Sequence, residues 1–314
     1  AASNITLTKY HGTDDNDLIS PNTVDNIIYG LAGNDTLNGG SGNDVIYGDD
    51  GWDTLKGGLG NDNIHGGTGR DYIDGGLGVD YAHLSGNYSD YSFVQQNQIL
   101  KVQDNRDNQF KSTDQLVNIE YITFADQTLA VSNITTYKGT DYGDLINPIT
   151  VDNIIYGLAG NDIIDGGSGN DVIYGGDGWD TLNGGYGNDS IKGEDGDDVI
   201  YGGSGVDIID GGDGIDWLFG GWGNDVIYGG DGVDIIDGGH GVDIIFGGDG
   251  YDILYGKSGH DSFKGEDGND HIYGGDGVDI AHYSGNFNDY SFVEIDSFLK
   301  VVDNRVGKYK WTDA

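Results

Sequence analysis

The sequence predicts an all-β chain: two right-handed parallel β-roll (β-helix) arrays of nonapeptide repeats, each followed by a β-rich cap. Three observations carry that prediction. Aspartate recurs every nine residues among paired glycines, an apolar residue follows each aspartate by two positions, and an array-plus-cap module occurs twice. The stretch "GGDGVDIIDGGHGVDIIFGGDGYDILYG" at 229–256 displays the first two, with Asp234, Asp243 and Asp252 spaced by nine.

Composition narrows the field first. The 314 residues carry 54 acids against 14 bases, a formal charge of −40, with 60 glycines and only 36% hydrophobic residues. Ordinary globular domains hold about 45–50% apolar residues, so a conventional core does not fold this chain against its own repulsion. A cationic partner is required. Nucleic acid is excluded, because phosphate binding needs a basic surface. With no cysteine in the sequence, zinc fingers, disulfide frameworks and thiol catalysis are excluded too. No apolar run approaches the roughly 18 residues that span a membrane. The start, "AASNITLTKY", has neither a basic flank nor an apolar stretch, and methionine is absent. The expectation is a chain that is processed or belongs to something longer.

The first module is expected over residues 1–133, with a roll from about 12 to 82 and a cap at 83–133. Counted from its first glycine, the unit reads Gly-x-x-Gly-x-Asp-x-(apolar)-x, usually with a second glycine at position two. Six units carry Asp35, Asp44, Asp53, Asp62, Asp71 and Asp80 at position six, with Leu37, Ile46, Leu55, Ile64, Ile73 and Ala82 at position eight. The following segment alternates apolar and polar residues in "YSFVQQ", "ILKVQD" and "IEYITFAD", the texture of short strands around a small core. Repeat stacks need such a cover over an open end.

The second module is expected over 134–314, with a roll from about 139 to 281 and a truncated cap at 282–314. Its fourteen units carry Asp162, Asp171, Asp180, Asp189, Asp198, Asp207, Asp216, Asp225, Asp234, Asp243, Asp252, Asp261, Asp270 and Asp279. "VDNIIYGLAGND" at 24–35 returns at 151–162, and "SGNYSDYSFV" at 85–94 returns as "SGNFNDYSFV" at 284–293. The two offsets, 127 and 199, differ by 72, which is eight units of nine. A stack of equivalent coils tolerates such an insertion and a closed core does not. Ala314 aligns with Gln115, so the counterpart of "LVNIEYITFADQ" is expected further along a longer chain.

Within the unit, the first six residues have turn chemistry and the last three strand chemistry. Glycines at positions one and four allow positive φ, whereas position two, which accepts Leu31, Asp49, Glu194 and Lys257, is less restricted. In a strand, position eight turns inward while seven and nine face out. Two units then close one coil of 18 residues. Coils stacked at about 4.8 Å place aspartates 18 apart above one another along two edges. Carboxylates at that spacing repel, so a positive charge is expected between them. Carboxylate and carbonyl oxygens without nitrogen or sulfur select a hard cation, and a flexible cage of many oxygens favours Ca²⁺ over Mg²⁺.

This unit resembles the glycine- and aspartate-rich nonapeptide of the repeats-in-toxin (RTX) family, a calcium-binding parallel β-helix, over roughly 180 residues. The resemblance implies that calcium sits between the turns of successive coils. Its ligands would be two position-six aspartates and carbonyls from positions one to four. Carried onto this chain, the backbone ligands belong to Gly175, Gly176 and Gly178, then Gly184, Gly185 and Gly187, then Gly202, Gly203 and Gly205. They continue through Gly211, Gly212 and Gly214, Gly220, Gly221 and Gly223, and Gly229, Gly230 and Gly232. Gly238, Gly239 and Gly241 and then Gly247, Gly248 and Gly250 complete the set. One such site would join Asp216 and Asp234 with carbonyls around Gly212, Gly214, Gly229 and Asp231. Asp49, Glu194, Lys257 and Glu266 replace the second glycine, and Lys257 departs furthest.

Counting gaps between turns gives about 12 sites in the second array and about 4 in the first. About 16 Ca²⁺ ions would bring the charge to roughly −8, an ordinary value for a soluble protein. Metal binding then offsets the entropy that the glycines cost. Without calcium the arrays are expected to be unfolded.

Other chemistry is weighed and set aside. The seven histidines include no HExxH pair, and no GxSxG elbow occurs. "GYDILYGKS" at 250–258 has five residues between its glycines where a phosphate loop has four. His83 and His282, in "AHLSGN" and "AHYSGN", read as structural hydrogen-bonding residues at the array–cap junction. Position seven, including Ile208, Trp217, Val226, Ile235, Ile244 and Ile253, faces outward with Phe219, Tyr228, Phe246 and Tyr255 at position nine. These rows reflect either the β-propensity of a thin stack or a lateral surface for self-association, neighbouring modules or a polysaccharide.

The sequence therefore reads as a non-enzymatic calcium-binding module of an exported, bacterial RTX-like protein, serving as a cell-surface, S-layer-like or adhesive component. The alternative is an accessory secretion and folding domain of a secreted protease, lipase or alginate epimerase whose catalytic domain lies elsewhere. A calcium-dependent ice-binding surface would need a regular outward threonine row, which the repeats lack. The resemblance further implies export in one step through a type I secretion channel.

Overall fold

β-Branched residues at positions seven and eight favour extended backbone, and glycines on either side let the chain reverse within a few residues. The resulting structure, a computed structural model, describes residues 8–21, 25–96, 98–106, 112–148, 151–284, 290–295, 298–303 and 312–313. It is an all-β parallel solenoid. Among the described residues the only helical segments are two short 3-10 turns, Tyr88–Asp90 and Val131–Asn133. No helix among the described residues is long and apolar enough to cross a membrane. Two compact units are present, Ala1–Tyr137 and Lys138–Ala314.

In the first unit, Thr8–His11, Asn26–Ala32, Val45–Gly51, Asn63–Gly69 and Tyr81–His83 run parallel in one sheet. Leu18–Ile19, Thr36–Ser41, Thr54–Leu59 and Tyr72–Leu77 form the other. Successive nonapeptides thus alternate between sheets. The non-repeat segment adds to both: Thr113–Val117 pairs parallel with Tyr72–Leu77, and Tyr121–Thr123 with Tyr81–His83. Ile99–Asp104 and Tyr91–Gln96 then extend the second sheet antiparallel.

The second unit repeats the pattern over more turns. A nine-stranded sheet opens at Thr136–Lys138 and ends at Ile280–Ala281, and an eight-stranded sheet runs from Leu145–Ile146 to His271–Gly277. The register is 18 residues throughout, as in Ile209↔Ile227 and Leu218↔Ile236. Tyr290–Ile295, Phe298–Asp303 and Thr312–Asp313 form a separate antiparallel sheet. The rest of the cap expected at 282–314 lies outside the described residues, apart from residues 282–284.

Position eight forms the core. Leu37 through Ala82 and Ile164 through Phe263 are at most 1% exposed. At the end of the parallel sheets of the second unit Ile272 is half-buried and Ala281 exposed, whereas Ala82 is covered by the buried Ile122. The strands of Ile272 and Ala281 end their sheets with one neighbour each, whereas that of Ala82 has a strand on each side. Positions seven and nine face outward: Ile208 and Trp217 are about half exposed, and rings one coil apart stack, as Tyr228 does on Phe246 at 4.8 Å. His11, Tyr29, Tyr47, His65 and His83 make one such ladder. Burial lowers the pKa of His65 to about 4 and that of His83 in the same direction, which favours the neutral form of both rings. His83 also bonds Asn63, and His282 bonds Ser262, each two strands back in sequence within its own sheet.

Two expectations about the turn are corrected. From Asn26–Ala32 to Tyr72–Leu77 and from Ile154–Ala159 to His271–Gly277 the strands are six or seven residues long, not three, because the glycines join the ladder; Ile208–Gly214 pairs through Gly212↔Gly230 and Gly214↔Gly232. Positive φ belongs to positions two and four, not one and four. Gly212 and Gly214 have φ of +107° and +155°. Leu31, Asp49, Leu158, Glu194, Lys257 and Glu266, the residues that replace glycine at position two, all take φ between +71° and +87°. An L-residue in the left-handed region costs roughly 1–2 kcal/mol. Leu31→Gly is therefore expected to stabilise the first unit in saturating calcium by about 1 kcal/mol. Calorimetry would show a raised Tm; an unchanged or lowered one contradicts the strain.

Candidate metal centres

Position one needs glycine for another reason, which defines the site. A β-carbon built on Gly202 would lie 2.7 Å from Asp207 Oδ2 and 2.7 Å from the Gly220 carbonyl oxygen of the next coil. At Gly247 the corresponding oxygens are Asp252 Oδ2 at 2.6 Å and the Gly265 carbonyl at 2.7 Å. At both glycines two acceptors thus converge, one from the same turn and one from the coil above. Asp216 Oδ2 and the Gly229 carbonyl meet in this way at Gly211.

The two carboxylate oxygens have separate tasks. Oδ1 accepts the backbone N–H of the aspartate one coil back, Asp216 N–H donating to Asp234 Oδ1 at 2.9 Å and Asp207 N–H to Asp225 Oδ1 at 2.9 Å. The aspartate carbonyl continues the ladder, accepting from Ile235 N–H at Asp216. Oδ2 is different. In every position-six aspartate from Asp35 to Asp80 and from Asp162 to Asp261, Oδ2 is buried and has no hydrogen-bond donor. Leaving an ionised oxygen in that state is costly. Burial drives the carboxyl of Asp234 up to about 7, that of Asp71 to about 8 and that of Asp53 to about 6. Backbone N–H donation opposes the shift and neighbouring aspartates add to it.

An orphaned carboxylate oxygen facing a carbonyl is an acceptor pair that needs a cation between its members, and its all-oxygen chemistry fits calcium. No three His, Asp or Glu side chains cluster among the described residues; the donor set is one carboxylate oxygen per turn with backbone carbonyls. Of the carbonyls expected at one site, that of Gly229 faces Asp216 Oδ2, while those of Gly212 and Gly214 face Gly230 and Gly232 of the next coil. Position-three carbonyls also serve the ladder, as Asp213 accepts from Gly196 N–H at 2.8 Å. Lys257 directs its carbonyl toward Gly275 as Gly230 does toward Gly248, and its ammonium pairs with Asp237 at 3.0 Å.

The parallel sheets of both units begin with residues that the repeat consensus misses. Asp17 and Asp144 hold position six one turn early, and there Oδ2 accepts from the N–H and hydroxyl of Thr13 and Thr140. Asn26 and Asn153 hold it on the other edge. The Asn26 Nδ2 donates to the Gly39 carbonyl at 3.0 Å and to Asp44 Oδ1 at 2.8 Å. Asn153 does the same with Gly166 and Asp171. The entry turns thus supply protein donors where later turns have two bare acceptors. The signal was in the sequence, as asparagine in phase with the aspartates.

A family described as the RTX calcium-binding nonapeptide repeat (4 copies) matches residues 11–46 and 47–82. It matches again at 151–182, 174–209, 183–218, 201–236, 219–254, 246–281 and 255–289. No curated protein matches the sequence. Among solved structures, the extracellular lipase LipA from Serratia marcescens is similar at 19% identity and a TM-score of 0.21, over 92% of this chain and 37% of that one. The chain thus spans well under half of that lipase.

Proposed function

The chain belongs to the RTX calcium-binding nonapeptide repeat family, and from that premise we propose that calcium ions fill its position-one cradles and fold it outside the cell. One observation carries the reading: the buried Oδ2 atoms without donors, each aimed at a cradle that a β-carbon would fill. Asp35, Asp44, Asp53, Asp62, Asp71 and Asp80 would serve the first roll and Asp162 through Asp279 the second, with carbonyls of the turn glycines. About 16 ions would offset most of the charge of the chain.

We place two rolls in the chain, each followed by a cap, at the boundaries that the composition marks. Affinities of extracellular calcium modules, roughly 10⁻⁴–10⁻³ M, would leave the chain unfolded before export and folded after it. The role is structural, in a secreted cell-surface, S-layer-like or adhesive component, with the outward rows of positions seven and nine as its lateral surface. A calcium titration followed by circular dichroism and light scattering tests folding and association together. Folding without association would leave the calcium function standing and remove the adhesive one.

The entry turns give a sharper test. Asn26→Asp and Asn153→Asp each exchange a donor for a bare acceptor, so each variant is expected to bind one ion more than the parent. Native mass spectrometry reads the count. An unchanged count would mean that the Oδ2–carbonyl pair is not where the ion sits.

A further inference from the structure

In the first unit the rows of carboxylates do not stop with the repeats. Asp71 N–H donates to Asp114 Oδ1 at 2.9 Å, and Asp80 N–H to Glu120 Oε2 at 2.8 Å. Both acceptors come from the non-repeat segment, 43 and 40 residues away, yet each stands where the aspartate of a next coil would stand. The ladder continues likewise, with Gln115 N–H donating to the Asp71 carbonyl at 2.8 Å and Tyr121 N–H to that of Asp80 at 3.1 Å.

Between these strands the segment takes a short cut. Val117 pairs with Asp74 and Tyr121 with Tyr81, so four residues of the segment span what the repeat spans in seven. Asn118 lies directly after Val117, at a φ of +50°. Its carbonyl is the atom nearest to a β-carbon built on Gly75, with Asp80 Oδ2 also close at 2.7 Å. Asp80 is 0% exposed, and its Oδ2 has no donor. At the equivalent glycine of the second unit, Gly274, the three atoms nearest to such a β-carbon all belong to its own Asp279.

We propose that Gly75, Asp80 and the Asn118 carbonyl enclose one further calcium site, closed by the non-repeat segment in place of a repeat. It follows from the calcium reading above and adds to it an ion that ties this segment to the last turn of the roll. Glu120 positions the Asp80 backbone, and carbonyls of the turn 75–78 complete the oxygen set.

Native mass spectrometry of the full chain in saturating calcium tests this. Gly75→Ala is expected to hold one ion fewer than the parent, because its β-carbon occupies the site. Asn118→Val, a β-branched residue at positive φ, is expected to lose one ion, and Asn118→Gly none. A parental count in Gly75→Ala overturns the proposal. Should Gly75→Ala shed several ions through collapse of its turn, Asn118→Val decides: one ion fewer supports the site and an unchanged count overturns it. A parent that binds no calcium would instead remove the premise, a distinct result.

Discussion

Removal of calcium near pH 7 is expected to abolish the parallel β structure of both units, and its return to restore it. Twelve donorless buried carboxylate oxygens, Asp162 through Asp261, line the second unit alone. An unpaired buried charge costs several kcal/mol even after relaxation, and whole domains are stable by only about 5–15 kcal/mol. Even about 1 kcal/mol per oxygen exceeds that margin. The position-eight core cannot compensate, since it contributes one apolar side chain per nine residues. Far-UV circular dichroism across a calcium titration measures the transition. Magnesium at equal concentration should not substitute, because it holds its waters and demands octahedral geometry. A β-sheet spectrum that persists in excess chelator near pH 7 would refute the account.

The second large effect is acid rescue of the metal-free chain. Burial raises the folded pKa of Asp62, Asp198, Asp207 and Asp234 to about 7, and that of Asp162, Asp189, Asp216, Asp243 and Asp252 to about 6, from 3.8. Between these limits the metal-free fold binds more protons than the unfolded chain, so its stability rises as pH falls. That stability is lost as pH rises through about 6 to 8. A proton on Oδ2 turns a bare acceptor into a donor facing the carbonyl, as the amide of Asn26 already does. Protein passed over a chelating resin is therefore expected to gain β structure on acidification from about pH 8 to about pH 5. With calcium present the sign reverses, because protons compete with the ion for the same oxygens. The calcium midpoint should then move to higher concentration as pH falls. Metal-free β content that increases with pH would contradict the buried placement of these carboxyls.

Much of the solenoid is legible because the repeat states it locally. An apolar residue at every eighth position and an acid at every sixth, held over many units, fix the inward face and the stacked edges once the period is known. The turn is less legible. Position two accepts leucine, glutamate and lysine, which reads as tolerance, yet those residues sit at positive φ as glycine does. Position one looks like another flexible glycine, yet its restriction comes from the coil above.

By itself the sequence determined the nine-residue unit, the 18-residue coil, the inward row and the carboxylates stacked along the two edges, because each follows from spacing along the chain. Only the tertiary structure decided how the rows end. Thr13 and Asn26 close them at one end with donors, and Asp114, Asn118 and Glu120 continue them at the other. Those residues lie outside the strict repeat, and what they meet depends on which coil folds against them, a relation that no period encodes.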